Sequence, residues 1–107
     1  MEELGRLLVL QHGYDMMNQG DLAVEKGDLA AAKHAYGEAQ RLLGDDNLEA
    51  SYWYAVALCN AGETDAALAQ FKKIFAKGEN WRTLTPRIVD AGFLKADKDL
   101  LAKIMKQ

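Results

Sequence analysis

The sequence predicts an all-α fold in which one helix-turn-helix unit is written twice. The two copies span residues 20–42 and 55–75, and the glycines that break them, Gly27 and Gly62, are 35 residues apart. On both sides of each glycine, apolar residues recur at three- and four-residue steps, which is the period of an amphipathic helix. A repeat of this length with a helix on each side of a turn is typical of arrays of stacked helix pairs.

The first unit begins inside a long amphipathic segment. The helical spacing of the opening leucines continues to Lys26, because Gly13 and Gly20 weaken a helix without forbidding it. Gly27 then supplies the backbone that a helix end commonly needs, and Asp28 is placed to cap the next helix. That second helix carries its apolar residues on one side: Leu29, Ala32, Ala35, Tyr36, Ala39, Leu42 and Leu43.

The second unit follows a turn at residues 44–47, which read Gly-Asp-Asp-Asn. A third helix is expected from about Leu48 to Ala61, and its nearly uniform apolar character predicts that it is covered on several sides. Gly62 ends it, and the fourth helix starts at Thr64 or one residue to either side. Five residues of that helix are expected to face inward: Ala67, Leu68, Phe71, Ile74 and Phe75.

The last thirty residues are less regular. A short fifth helix is expected to end at Gly92, with Pro86 either near its start or at a kink. Three apolar residues share one face of it: Trp81, Leu84 and Ile88. Asp97 is a predicted N-cap for a final helix, which would cover the last apolar face as the terminal element of a repeat array does.

At the positions that control helix packing, both units resemble the tetratricopeptide repeat (TPR). The matches are the small residue of the first helix at Gly20 and Ala55, the closing glycine at Gly27 and Gly62, the alanine of the second helix at Ala32 and Ala67, and the aromatic residue at Tyr36 and Phe71. Ala39 matches a further small residue. The departures are Ile74 at that small position, Met16 and Ser51 in place of an early aromatic residue, and Gly44 and Glu79 in place of a closing proline.

The resemblance implies a right-handed superhelix of antiparallel helix pairs in a single domain, residues 1–107. Trp81 lies 11 residues before Gly92, which is the family's spacing and implies a degenerate third repeat. The implied divisions are an N-terminal helix extension at 1–12, repeat 1 at 13–47, repeat 2 at 48–77, and the degenerate third repeat with a capping helix at 78–107.

A narrower resemblance concerns the run from Leu4 through residues 14–18 and the stretch from Trp81 to Arg87. Both look like the C-terminal TPR tail of certain bacterial proteins whose N-terminal domain is uncharacterised and resembles the N-terminal-nucleophile hydrolases. That resemblance implies an accessory or oligomerisation domain of a larger hydrolase-like protein, and it implies no catalytic residue in this chain.

Composition and charge narrow the classes of partner. The formal net charge is −3 and the sequence pI is about 5.3, which argues against nucleic-acid binding. Residues 1–71 hold 4 Lys/Arg against 12 Asp/Glu, whereas residues 72–107 hold 9 against 4. We interpret this asymmetry as a solvated surface. The alternatives are head-to-tail attraction between molecules and a basic tail that binds an acidic surface. The lone cysteine, Cys59, and the acidic start without a leader predict a cytoplasmic protein, and no run is apolar enough to cross a membrane.

No catalytic, metal or cofactor motif is recognisable, so the sequence predicts a binding protein without enzymatic activity and without a cofactor. His12 and His34 are far apart and lack the three or four ligands of a metal site. Cys59 has no neighbouring histidine and no helix-start position that would lower its pKa. Both features are expected to be structural or surface residues.

The resemblance implies a concave groove lined by the first helix of each unit, which would bind a protein or peptide. Ten residues are predicted to line it: Tyr14, Met17, Asn18, Asp21, Glu25, Glu49, Tyr52, Val56, Asn60 and Arg82. Cys59 and Pro86 occupy neighbouring positions, and the alternative for Tyr52, Val56 and Cys59 is a place in the core or in a self-association interface. An acidic groove would repel a C-terminal carboxylate and suit an apolar helix or a basic peptide.

Overall fold

A computed structural model of the chain describes residues 2–44 and 47–107. This part of the chain is all-helical, as the sequence predicts, and contains no strand. It forms six helices: α1 (Glu2–Glu25), α2 (Leu29–Leu43), α3 (Leu48–Asn60), α4 (Thr64–Lys77), α5 (Glu79–Asp90) and α6 (Lys98–Met105). α1 packs against α2 and α3 against α4, while α2 also contacts α3 and α6 packs on α4 and α5.

α1 is one continuous helix that passes through Gly13 and Gly20. Both glycines lie where α2 comes closest. A methyl group added at Gly20 would stand 2.5 Å from the Tyr36 ring, and one added at Gly13 would stand 2.6 Å from the Leu43 side chain. The absence of a Cβ therefore lets the two helices approach, which offsets the low helix propensity of glycine.

The same turn closes α1, α3 and α5. Gly27, Gly62 and Gly92 have φ of 75°, 86° and 87°, the left-handed region that favours glycine. In each turn the glycine N–H donates to a carbonyl three residues back, and the next N–H donates to a carbonyl five residues back. This is the bond pattern of a Schellman C-cap. The expected breaks at all three glycines are confirmed.

The helix starts follow the expected capping chemistry. Asp28 Oδ1 accepts from the Ala31 backbone N–H at 3.1 Å, and Asp97 Oδ1 accepts from the Leu100 N–H at 2.8 Å. Asn47 caps α3 in the same way through the Ala50 N–H. Side-chain oxygens of this kind satisfy amides that have no partner within the helix, and they fix the starts of α2, α3 and α6. α4 and α5 begin without a side-chain cap.

Small residues mediate the helix pairing. Ala32, Ala55 and Ala67 are fully buried, and Gly20 is buried as well. The aromatic residues predicted to lock each pair, Tyr36 and Phe71, are buried as well. Burial of small side chains lets neighbouring backbones come close, so helix crossing through these positions is confirmed. The largest fully enclosed side chains of the core are Tyr52, Phe71, Ile74, Leu94 and Ile104.

Pro86 does not lie near the start of α5, which was the first of the two positions expected for it. It is the eighth residue of the twelve in α5, well inside the helix. Because proline has no N–H, the turn around it loses one backbone hydrogen bond. Thr85, directly before it, is fully buried, and its hydroxyl donates to the Trp81 carbonyl at 2.9 Å. Ile88 is buried one turn further on, so packing holds the helix together across the proline.

The third helix pair is shorter than the first two and is tied to them by side chains. The Tyr52 hydroxyl and the Thr85 hydroxyl share a hydrogen bond of 2.9 Å, which joins α3 to α5. The Tyr52 ring also lies 4.9 Å from the Trp81 ring, measured between centroids. α6 adds the enclosed Ile104 to the same core. Within residues 2–44 and 47–107, no helix combines the length and hydropathy needed to span a lipid bilayer.

Candidate binding groove

A pocket of about 230 Å³ opens between α1, α2, α3 and the loop that follows α5. We call it the main pocket. Its lining comes from four segments: Asp21, Val24 and Glu25 of α1, Leu29, Ala32 and Tyr36 of α2, Trp53, Val56, Ala57 and Asn60 of α3, and Phe93 of the loop. The first two helix pairs and the loop of the third therefore all contribute to one site.

The walls of the main pocket are largely apolar. Trp53 and Phe93 meet edge to face, with ring centroids 6.3 Å apart and planes at 80°. Phe93 is 52% exposed and Val24 is 36% exposed, both high values for large apolar side chains. Convergence of exposed apolar groups on a concavity is the usual property of a site that binds a partner.

Asn60 fixes the loop that carries Phe93. Its side-chain amide donates to the Phe93 carbonyl at 2.9 Å, and its carbonyl oxygen accepts from the Lys95 backbone N–H at 2.8 Å. Leu94, between those two residues, is fully buried and anchors the loop from the other side. The Phe93 ring is thus held over α3 by bonds that span more than thirty residues of sequence.

Asp21 and Tyr36 form the polar contact of the main pocket. The Tyr36 hydroxyl donates to Asp21 Oδ1 at 2.6 Å. Burial of the hydroxyl, together with its bond to the Asp21 carboxylate, raises the pKa of Tyr36 far above its ordinary value of 10.0. The tyrosine therefore stays protonated and keeps donating, which holds the Asp21 side chain in place at the pocket wall.

Two helices end at the main pocket, and neither places a cation there. The last turns of α1 and α3, both described in full, carry no basic residue. Each of the other four helices has one, at Arg41, Lys77, Arg87 and Lys103. Carbonyl groups at a helix C-terminus give it a partial negative charge, which cations normally balance. The carboxylates of Asp21 and Glu25 add to that charge at the pocket.

A smaller pocket of about 140 Å³ adjoins the main pocket and shares Asp21 with it. We call it the side pocket. Its lining is Tyr14, Met17, Asn18, Asp21, Leu43, Asn47 and Glu49. Together the two pockets, which we call the groove, collect eight of the ten residues predicted from the sequence: Tyr14, Met17, Asn18, Asp21, Glu25, Glu49, Val56 and Asn60. Val56 is also buried and belongs to the core, which is the alternative that the sequence left open for it.

Tyr52 does not line the groove, and the prediction that it does is wrong. Its side chain is 0% exposed and packs edge to face on Trp53 and Phe71. Burial raises the pKa of its hydroxyl, which bonds to Thr85 within the core. The neighbouring Cys59 is buried too, and burial raises the pKa of its thiol, as expected for a packing residue.

Arg82 is the second correction, because it lies against α4 and outside the lining of both pockets. Its guanidinium carbon stands 5.2 Å from the centre of the Phe75 ring, a cation–π contact. One terminal nitrogen also donates to both carboxylate oxygens of Glu79 at 2.8 Å. These contacts make Arg82 a structural residue of the α4–α5 junction.

Sequence reasoning missed five large side chains of the main pocket: Val24, Leu29, Tyr36, Trp53 and Phe93. Val24 could have been found, since it follows Met17 by seven residues and so shares its face of the helix. Trp53 precedes Val56 by three and Asn60 by seven, which gives the same signal. Phe93 carries no such signal, because the Asn60 bonds that place it join distant parts of the sequence.

Among the described residues, no group of three or more His, Cys, Asp or Glu side chains is placed to hold a metal ion. Comparison with known protein-family models, curated proteins and solved structures found no match to this chain. The groove itself is therefore the basis for the functional argument.

Proposed function

We propose that this chain is a TPR-like helical-repeat module that binds a peptide segment of a partner protein in the groove. The observation that carries the proposal is the main pocket, an open and largely apolar concavity bordered by the Asp21 and Glu25 carboxylates. Support for the repeat assignment comes from the Schellman turns at Gly27 and Gly62 and from the small residues at the helix crossings. We also propose that the helix pairs are arranged in a right-handed superhelix.

Charge complementarity specifies the occupant. The lining of the main pocket, within the part of the chain that the structure describes, holds two carboxylates and no lysine or arginine. The occupant is therefore an amphipathic peptide that presents apolar side chains beside lysine or arginine. Apolar burial would supply most of the affinity, whereas opposite charge would select the partner and speed association.

Two peptides of equal length and apolar content test the proposal, one with lysines and one with glutamates at the polar positions. We expect isothermal titration calorimetry to show saturable binding of the lysine peptide, with binding of the glutamate peptide at least about tenfold weaker. Equal affinity for the two peptides, or the absence of binding by either, would contradict the proposal.

A pair of substitutions on α1 locates the binding surface. Val24 and Leu22 are both exposed aliphatic residues, but only Val24 lines the main pocket. Val24→Ala is expected to weaken binding of the lysine peptide several-fold through lost apolar contact, while Leu22→Ala leaves it unchanged. Equal effects of the two substitutions would place the peptide elsewhere on α1.

The acidic lining also predicts that the groove does not hold a C-terminal carboxylate. Members of the TPR family that do so use lysine and asparagine, whereas Met17 and Asp21 occupy the corresponding positions here. A fluorescence titration with an acidic peptide that ends in a free carboxylate should show no binding in the micromolar range. Micromolar affinity would refute this part of the proposal.

Self-association is a second candidate, supported by exposed leucines on α1. Leu8 is 62% exposed and Leu22 is 54% exposed, and their spacing of fourteen residues, about four turns, puts them on nearly the same side of the helix. A dimer through this side would bury both. Light scattering over a hundredfold range of concentration should detect it, and a concentration-independent monomer would exclude it.

Three further expectations stay predictions: the accessory role in a hydrolase-like protein, the absence of enzymatic activity and the cytoplasmic setting.

A further inference from the structure

We propose that the main pocket is selective for an organic cation, such as the ammonium group of a lysine or of an alkylated amine. This inference rests on the proposed function and refines it, because it names the side chain of the bound peptide that enters the pocket. Four observations support it: the aromatic lining, the carboxylates, the two helix ends and the pocket size.

Aromatic rings form one side of the main pocket. Trp53 and Phe93 stand nearly perpendicular to each other, and Tyr36 contributes to the lining from α2. The face of an aromatic ring carries a negative quadrupole that attracts cations, and tryptophan does so most strongly. Sites for alkylated ammonium groups combine several rings around one cation in this way.

Negative charge also lies at the wall of the main pocket. Asp21 and Glu25 are four residues apart on α1 and both line the pocket. The C-terminal ends of α1 and α3, which lack the basic residue present in the last turn of the other four helices, lie at the same place. Lys26 directly follows α1 but does not belong to the pocket lining. The N-terminal end of α2 lies at the pocket too, because Leu29 is its first residue, and its partial positive charge offsets part of this effect. The two carboxylates therefore provide most of the attraction for a bound cation.

The size and polarity of the pocket favour an organic cation over a metal ion. About 230 Å³ is several times the roughly 30 Å³ that a water molecule takes up in the liquid, and it is smaller than pockets that enclose a whole drug-sized ligand. It therefore suits the end of one side chain. Calcium and magnesium need six or more oxygen ligands, whereas the lining here is largely aromatic and aliphatic.

The direct test compares choline with 3,3-dimethyl-1-butanol, in which a carbon atom replaces the charged nitrogen. The two probes have the same shape, so a difference in affinity reports the charge. In an NMR titration we expect choline to shift the Trp53 indole and Phe93 amide resonances in a saturable manner. The neutral alcohol should bind at least about fivefold more weakly. Equal affinities, or no saturable shift with choline, would overturn the inference.

Two substitutions and two controls assign the selectivity to the pocket. Glu25→Gln and Phe93→Leu should each reduce the preference for choline over the neutral alcohol, since each removes a group that attracts the cation. The controls are Asp15→Asn and Leu22→Ala, which alter exposed residues of α1 outside the pocket lining and should preserve it. Loss of the preference in the controls, or its retention in both pocket variants, would refute the assignment.

A third comparison separates this inference from the proposed function. The lysine peptide is made with lysine, trimethyllysine or norleucine at one position in turn. Tighter binding of the two cationic forms than of norleucine supports the inference. Equal binding of all three would overturn it while leaving the peptide-binding proposal intact. Failure of all three to bind would contradict the peptide-binding proposal, and choline binding in the first test would then assign the pocket to free small cations.

Discussion

The two helix pairs share most of their packing positions, but one pair of corresponding positions is polar in the first and apolar in the second. Gly20 corresponds to Ala55 at a spacing of 35 residues, and these small residues are buried at the helix crossings. At the same spacing, Asp21 of the first pair corresponds to Val56 of the second, and Tyr36 corresponds to Phe71. A hydrogen-bonded polar pair thus stands where the second helix pair has two apolar residues.

The difference separates residues that pack the helix pairs from residues that line the main pocket. Phe71 is fully enclosed and belongs to the continuous core with Tyr52 and Ile74. Tyr36 has a similarly buried ring, but its hydroxyl extends to the groove and holds the Asp21 carboxylate. A single hydroxyl therefore converts a core position into a support for the acidic wall of the main pocket.

The largest effect should come from removing the enclosed aromatic residue of the second pair. Phe71→Ala is expected to lower the free energy of unfolding by about 3–5 kcal/mol, because it removes buried contacts and leaves a cavity. The matched control is Phe93→Ala at the exposed pocket wall, which should cost less than about 1 kcal/mol. Urea denaturation followed by circular dichroism measures both. Similar losses would contradict the division into core and site residues.

Next in size is a change at the helix crossing. Gly20→Ala would bring a methyl group into the Tyr36 ring and should cost about 1–3 kcal/mol despite the better helix propensity of alanine. At the corresponding position the packing of α3 already accommodates a methyl group. Ala55→Gly should therefore cost about 1 kcal/mol, the difference in helix propensity between alanine and glycine. Gln19→Ala, at an exposed site beside Gly20, is the control and should change little. A stabilising Gly20→Ala would refute the close approach of α1 and α2.

The turns offer a test in which the two helix pairs should behave alike. Gly27→Ala and Gly62→Ala each force a side chain into the left-handed region, at a cost of about 1–2 kcal/mol. Nothing lies within 4 Å of the added Cβ at either position, so backbone strain alone sets the cost. Thermal or urea unfolding should give nearly equal losses. A large loss of stability at one glycine and none at the other would contradict the structural equivalence of the two turns.

The smallest effect concerns the polar pair itself. Tyr36→Phe should cost about 0.5–1.5 kcal/mol at neutral pH through loss of the hydrogen bond to Asp21. Because the folded state raises the pKa of Tyr36, the wild-type protein should also lose stability as the pH rises above the ordinary tyrosine value of 10.0. Above this pH the tyrosine of the unfolded chain ionises while the folded hydroxyl stays protonated. Ionisation stabilises the unfolded state, so the free energy of unfolding falls.

Urea denaturation at pH 8 and at pH 11 tests this sign. Tyr36→Phe should lose less stability than the wild type between the two values, although Tyr52, whose pKa is also raised, still contributes in both proteins. Tyr14→Phe, which removes one hydroxyl at an exposed position, is the matched control. A pH dependence that is identical in Tyr36→Phe and the wild type would contradict the raised pKa of Tyr36.

Helix boundaries could be predicted from the sequence because their causes are local. Gly27, Gly62 and Gly92 act through their own backbone, and Asp28 and Asp97 cap helices through amides three residues away. Spacing along the chain is enough to find such features. The third helix ends at Asn60 instead of Ala61, a difference of one residue that lies within the ordinary uncertainty of a helix end.

The groove could be predicted only in part because its causes are tertiary. Adjacent residues on a helix point about 100° apart, so the choice between Tyr52 and Trp53 decides between core and pocket, and apolar character alone does not distinguish them. Phe93 reaches the pocket through bonds to Asn60 across the fold. Arg82 lies on Phe75 instead of in the groove, and no sequence pattern predicts this contact between two helices.

The most direct test of the account is to map the binding of the lysine peptide by two-dimensional NMR on the ¹⁵N-labelled protein. We expect the largest shifts on the backbone amides of Val24, Glu25, Val56 and Phe93, and on the Trp53 indole. Residues of α4 outside the groove lining, such as Gln70 and Lys73, should stay unchanged. Shifts confined to α4, or the absence of any shift at saturating peptide, would contradict the assignment of the groove as the binding site.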